Sequence, residues 1–145
     1  MPKVKKAIRR RTPDEILDAV KKEGALYAKK ATQLSDMLER AEWALQELPA
    51  KIPVRMFESE IEESPWLAFE RFGGDWRLVF HESELELYDV TSSNVNIKAR
   101  AGTLLPDLYD LLINRIRENL SLVDGALEEL ENVPFLTGDA KEGDE

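Results

Sequence analysis

The chain has no cysteine and a single histidine, His81, among its 145 residues. Without cysteine there is no disulfide, no thiolate zinc site and no thiol nucleophile. A nucleophile–base pair generally uses a histidine as base, and nothing in the sequence around His81 resembles such a site, so His81 reads as an ordinary strand-end residue. No apolar run reaches the ~20 residues that cross a bilayer, and the basic amino terminus is not followed by a signal-peptide core. A cytoplasmic protein without a membrane partner is expected. Glycine and proline number only seven each, so they mark boundaries where they do occur.

Charge is abundant and uneven. The net charge is −9, yet Lys3, Lys5, Lys6, Arg9, Arg10 and Arg11 form a run without an acid. Everything after that arm carries 14 basic and 29 acidic side chains. An acidic body repels nucleic acid and suits basic partners or plain solubility. Residues 1–11 are expected to be a disordered arm, residues 12–136 one domain, and residues 137–145 an acidic tail.

Thr12-Pro13-Asp14-Glu15 reads as a helix start, with Thr12 as N-cap, Pro13 in the first turn and Glu15 closing a capping box. From there Leu17, Val20, Gly24, Tyr27, Ala31, Leu34, Leu38, Ala41, Leu45 and Leu48 recur in steps of three and four. At 1.5 Å per residue that seam is about 47 Å long. A four-strand sheet of six-residue strands spans only ~20 Å, so part of the seam needs a further partner, and a homodimer is the simplest supply. Leu34, Leu38 and Leu45 are candidate dimer-seam residues. Trp43 lies off the seam and is expected on the sheet.

Residues 51–99 change character. Ile52–Glu60, Trp66–Phe72, Trp76–His81, Leu85–Val90 and Asn94–Ala99 are each strand-length, and Gly73-Gly74-Asp75 is a hairpin signal. These predict an antiparallel meander of four to five strands. A second long helix is expected from Thr103 to about Glu131, with Pro106 in its first turn. Its seam runs Tyr109, Leu112, Ile116, Asn119, Val123, Ala126, Leu130. Asn119 is the polar entry; it either fixes register in a dimer or sits at a solvated edge. The fold class is therefore α+β: long helix, meander, long helix.

Three constellations bear on function. Gly73-Gly74 is too short for a phosphate-cradling loop and reads as a turn. Glu58, Glu60 and Glu62 alternate, as do Glu82, Glu84 and Glu86. On an extended strand such residues share a face at about 6.6–6.8 Å, roughly twice the ~3.4 Å rise per nucleotide of one DNA strand. They read as a charged edge that blocks aggregation, as a phosphate-imitating surface for a basic host protein, or, least, as divalent-metal ligands, since the calcium-loop pattern is absent. Finally, the Lys3–Arg11 arm could neutralise phosphates, without the interleaved aromatics that stack bases.

Trp66-Leu67-Ala68-Phe69-Glu70-Arg71-Phe72, Trp76-Arg77-Leu78, Ile97-Lys98-Ala99-Arg100, Leu104-Leu105-Pro106-Asp107-Leu108 and Leu111-Leu112 occur in that order. Over residues 34–112 this order resembles small bacteriophage and mobile-element proteins of uncharacterised role, in which a helix, a meander and a helix follow one another. The resemblance implies a host-interaction or accessory role and carries no site residue. The sequence thus points to a non-enzymatic, homodimeric protein-binding protein without cofactor or metal, its acidic sheet region meeting a nucleic-acid-handling host protein. The alternative is a nucleic-acid-associated accessory protein using the basic arm.

Overall fold

The computed structural model describes residues 10–61, 64–83 and 85–136. Of the expected arm, only Arg10 and Arg11 fall among them; Lys3, Lys5, Lys6 and Arg9 lie outside the described residues, as do Glu62, Glu84 and the acidic tail.

Helix α1 spans Pro13–Gln46. Its start follows from the capping box: the Glu15 N–H donates to Thr12 Oγ1 at 3.2 Å, and the Thr12 N–H donates to Glu15 Oε1 at 2.9 Å. Two orphan donors are thereby satisfied reciprocally. Four strands follow, β1 (Val54–Phe57), β2 (Trp66–Phe72), β3 (Asp75–Ser83) and β4 (Glu86–Asp89), in an antiparallel sheet ordered β1-β2-β3-β4. Between β2 and β3, Gly73 (φ 65°) and Gly74 (φ 93°) make a two-residue turn that pairs Phe72 with Asp75. Both positions lie in the left-handed region that favours glycine, as a type I′ hairpin demands.

Helix α2 spans Val95–Glu131. The fifth expected strand, Asn94–Ala99, is instead its opening. Asn94 is the N-cap, its Oδ1 accepting from the Ile97 N–H at 3.0 Å. The helix therefore begins eight residues before Thr103, and Pro106 stands inside it. A proline there has no N–H and crowds the carbonyl four residues back, that of Gly102.

The sheet turns one face to both helices. Val54, Leu67, Phe69, Leu78 and Phe80 on that face join Leu38 and Leu45 of α1 and Ile97, Ala101, Leu104, Leu108 and Leu112 of α2 in one core. Leu34, partly buried, packs against it. Leu38 and Leu45 are thus consumed within the chain, which corrects their expected place in a dimer seam, whereas Leu34 stays half-buried and lines the groove between the helices. Each fully buried leucine of this kind contributes about 1.5–3 kcal/mol through removal from water. Trp43 is 65% exposed rather than seated on the sheet, and Leu85 is 95% exposed at the β3–β4 turn.

The helices share a direction where they cross. Lys98 Nζ donates to Ser35 Oγ at 2.8 Å, a methyl group added at Gly102 would come within 3.2 Å of Leu34 Cδ1, and the Tyr109 hydroxyl donates to the Ala41 carbonyl at 3.4 Å. Leu34 and Ser35 meet Lys98 and Gly102, while Ala41, further along α1, meets Tyr109, further along α2, so the two helices run in the same sense. The first twenty or so residues of α1 consequently overhang the sheet at one end, and the last twenty or so of α2 overhang it at the other.

Candidate interaction surfaces

Among the described residues the acidic candidates do not form a comb. Strand β1 ends at Phe57, so Glu58 and Glu60 lie in the loop that follows. That loop is closed by the Glu58 N–H donating to the Pro65 carbonyl at 2.8 Å and by the buried Ser64 hydroxyl donating to the Ser59 carbonyl at 3.1 Å. Glu82 is on β3 and Glu86 on β4, across a turn, so no single strand spaces them. The register shifts at His81/Ser83, and Ser83 then pairs directly with Glu86.

Two of these carboxylates are already engaged. Arg100, on α2, meets Glu58 through Nη2 at 2.8 Å and through Nε at 2.9 Å, and its Nη1 meets Glu82. The guanidinium also lies 4.8 Å from the Phe80 ring centroid. This pairing holds the Glu58 carboxyl below the ordinary carboxylate range and raises Arg100 further above its own. Glu86 accepts from Ser83 Oγ at 3.1 Å and from the Tyr88 hydroxyl at 3.4 Å. Glu60 is exposed. Glu58 and Glu82 thus tie α2 to the sheet, and Glu86 bonds within the β3–β4 hairpin.

The sheet face turned away from the helices carries a layer of its own side chains, with Phe57 47% and Leu87 44% exposed. Trp66 stacks on His81 with centroids 3.7 Å apart and planes 4° from parallel. The Arg55 guanidinium lies 4.5 Å from the Trp66 ring, and Phe57 packs on it at 5.5 Å. Arg55 pairs with Glu70 at 3.1 Å, and Arg77 pairs with Asp89 at 3.4 Å and Asp75 at 3.6 Å. Beneath this layer Ala68 and Val79 are wholly buried. Among the described side chains one polar atom, Trp66 Nε1, is buried without a hydrogen-bond partner.

The unsatisfied surface is on the helices. Gly102, Pro106, Tyr109, Ile113, Ile116, Leu120, Val123, Leu127 and Leu130 alternate in steps of four and three along α2. The first three border α1, forming with Met37, Ala41 and Ala44 a groove of about 530 Å³. The last six continue the same stripe beyond the sheet and are 37–56% exposed. They extend for about 26 Å at 1.5 Å per residue. Asn119 is one position off this stripe, on its flank, with Leu120 taking the apolar place. On α1 the overhang likewise leaves Leu17, Val20 and Tyr27 more than half exposed. The seam expected from sequence shares Tyr109, Ile116, Val123 and Leu130 with this stripe but takes Leu112, Asn119 and Ala126 where the stripe has Ile113, Leu120 and Leu127, because two overlapping seven-residue registers fit the helix.

Among the described residues no group of three or more His, Asp or Glu is placed to hold a metal ion, and no helix is long and apolar enough to cross a membrane. Comparison with family models, curated proteins and solved structures finds no match to this chain.

Proposed function

We propose that the protein is a non-enzymatic binding protein that works as a homodimer, its binding surfaces being the apolar faces of its two overhanging helices. The observation that carries this reading is the α2 stripe, where six apolar residues from Ile113 to Leu130 stand exposed in unbroken three–four alternation. Removing such a stripe from water is the favourable term in most helix–helix association. The sheet offers less: the Arg55–Trp66–His81 layer covers much of its open face, leaving Phe57 and Leu87 as two isolated exposed apolar residues, and Glu58 and Glu82 are held by Arg100. An accessory role that acts through assembly follows more directly from these features than imitation of nucleic-acid phosphates.

Sedimentation equilibrium of the full chain at several concentrations tests the reading. Twice the 16.6 kDa protomer mass is expected, and Leu120→Glu with Leu127→Glu should return the protein to one copy with the sheet and its core intact. A single-copy mass for the unaltered chain at the highest concentration would overturn it.

A further inference from the structure

We infer that the α2 overhang is occupied by the α2 overhang of a second copy, lying antiparallel to it. This rests on the homodimer reading and names the contact that makes it.

The argument begins with the stripe itself. Ile113, Ile116, Leu120, Val123, Leu127 and Leu130 are symmetric about their midpoint, so an antiparallel copy sets Ile113 against the partner's Leu130, Ile116 against the partner's Leu127 and Leu120 against the partner's Val123. Every rung then meets an apolar rung, the arrangement a two-fold, closed interface requires. The same surface serves both copies, and no unmatched end remains to propagate a chain of protomers.

Charge selects the direction. Arg115 and Arg117, with Glu118, are near the root of the overhang, whereas Asp124, Glu128, Glu129 and Glu131 are toward its tip, and no basic residue lies between Glu118 and the end of the helix at Glu131. A parallel pair would bring the two acidic tips together. An antiparallel pair lays each basic root against the other copy's acidic tip. The flanks agree: Arg117, Asp124 and Glu131 each follow a rung of the stripe by one residue, while Leu112, Asn119 and Ala126 each precede one. In antiparallel pairs like flanks face each other, so Arg117 meets the partner's Asp124; in parallel pairs unlike flanks meet. In the body, Arg115 reaches Glu118 only at 4.0 Å, leaving these overhang charges largely solvated.

The absence of native cysteine makes site-specific labelling clean. Single Leu122→Cys and Asn114→Cys variants of the full chain, each carrying a nitroxide, are measured by electron double resonance under conditions where the protein has dimer mass. Leu122 is nearly level with its copy in the antiparallel pair, whereas Asn114 is displaced from its copy by about 22 Å along the axis. The expected result is a short Leu122 separation and an Asn114 separation on the order of 10 Å longer, for helices packed about 8–10 Å apart. Equal short separations at both sites would mean a parallel pair and overturn the inference. A dimer without a short Leu122 separation would mean that another surface makes the contact, overturning the inference while leaving the homodimer standing. A single-copy mass would remove both.

A charge exchange gives a second readout that does not depend on labels. Arg117→Glu should raise the dimer dissociation constant roughly several-fold, in the range of exposed ion pairs, and adding Asp124→Arg should restore it. No weakening, or no restoration, would count against the antiparallel flank.

Discussion

Glu42 of α1 and Leu78 of β3 are joined by a hydrogen bond of 2.8 Å, in which a helix carboxylate stands in for a neighbouring strand. Strand β4 pairs with β3 from Val79 to Ser83, leaving the earlier part of that edge without a strand. Glu42 accepts from the Leu78 N–H there, and two residues earlier Gln46 Nε2 donates to the Trp76 carbonyl at 2.7 Å. One turn of helix thus satisfies the two backbone groups that a longer β4 would have paired. Burial, Glu42 being 7% exposed, pushes its carboxyl above the usual carboxylate range despite this bond.

Replacing Glu42 separates bond from charge. Glu42→Ala leaves the Leu78 N–H buried and unpaired and is expected to cost about 1–3 kcal/mol. Glu42→Gln keeps an acceptor oxygen without the buried charge and is expected to match or exceed the parent at neutral pH. Urea unfolding of both variants checks this; equal destabilisation by Ala and Gln would show that the charge itself is required.

Acid should act on two carboxylates in opposite directions. The Glu42 carboxyl titrates above its unfolded value of 4.5, so its ionisation weakens the fold as pH rises through that raised value, and the advantage of Glu42→Gln should fade as pH falls to about 4.5 and below. Glu58 titrates below 4.5, so the Arg100 pairing contributes above that value and is lost as pH falls through the lowered one. Arg100→Met is therefore expected to cost about 1 kcal/mol at neutral pH, in the range of partly exposed ion pairs, and progressively less in acid. Thermal midpoints against pH for the three proteins test both signs.

Gly24 and Gly125 are within helices and have open space where a side chain would begin. Alanine at either is expected to stabilise by about 0.5–1 kcal/mol, because glycine surrenders more backbone freedom on folding. Gly125 is off the apolar stripe, so Gly125→Ala should leave the assembly state unchanged. Calorimetry with sedimentation shows whether the two effects separate in this way.

Asn94 marks where the second helix begins. Asn94→Ala should cost about 0.5–2 kcal/mol by orphaning the Ile97 N–H. A loss within error would mean that residues 95–102 hold their helix through packing alone.

That boundary also shows what could be read from the residues beforehand. The α1 start, the glycine hairpin and the four strands each carry a local chemical signal, and all are where such signals place them. Asn94-Val95-Asn96-Ile97 alternates polar and apolar, like a strand, over a span too short to distinguish the two periods. The longer spacing Ile97, Ala101, Leu104, Leu108, Leu112 runs through it and prevails because those five residues bury together. The glutamates misled for a different reason. Alternation assumes that each triplet lies on one continuous strand, whereas β1 stops before Glu58 and the second triplet is divided between β3 and β4; Glu58 and Glu82, from different triplets, are brought together by Arg100, 42 and 18 residues away. Pairings of that range leave no local trace. Trp43 stands exposed because the positions that meet the sheet are taken by Leu38, Glu42 and Leu45.

Two helices of 34 and 37 residues that overhang opposite ends of one small sheet also govern how the protein travels through solvent. Each rod is about 50–55 Å long at 1.5 Å per residue, against a radius of gyration of ~15 Å for a compact chain of this length. Friction is set by the long dimension, so even a solitary protomer should leave a sizing column early and diffuse like a considerably heavier sphere. Elution volume alone would then mistake elongation for pairing, and absolute mass becomes the quantity that tells one copy from two.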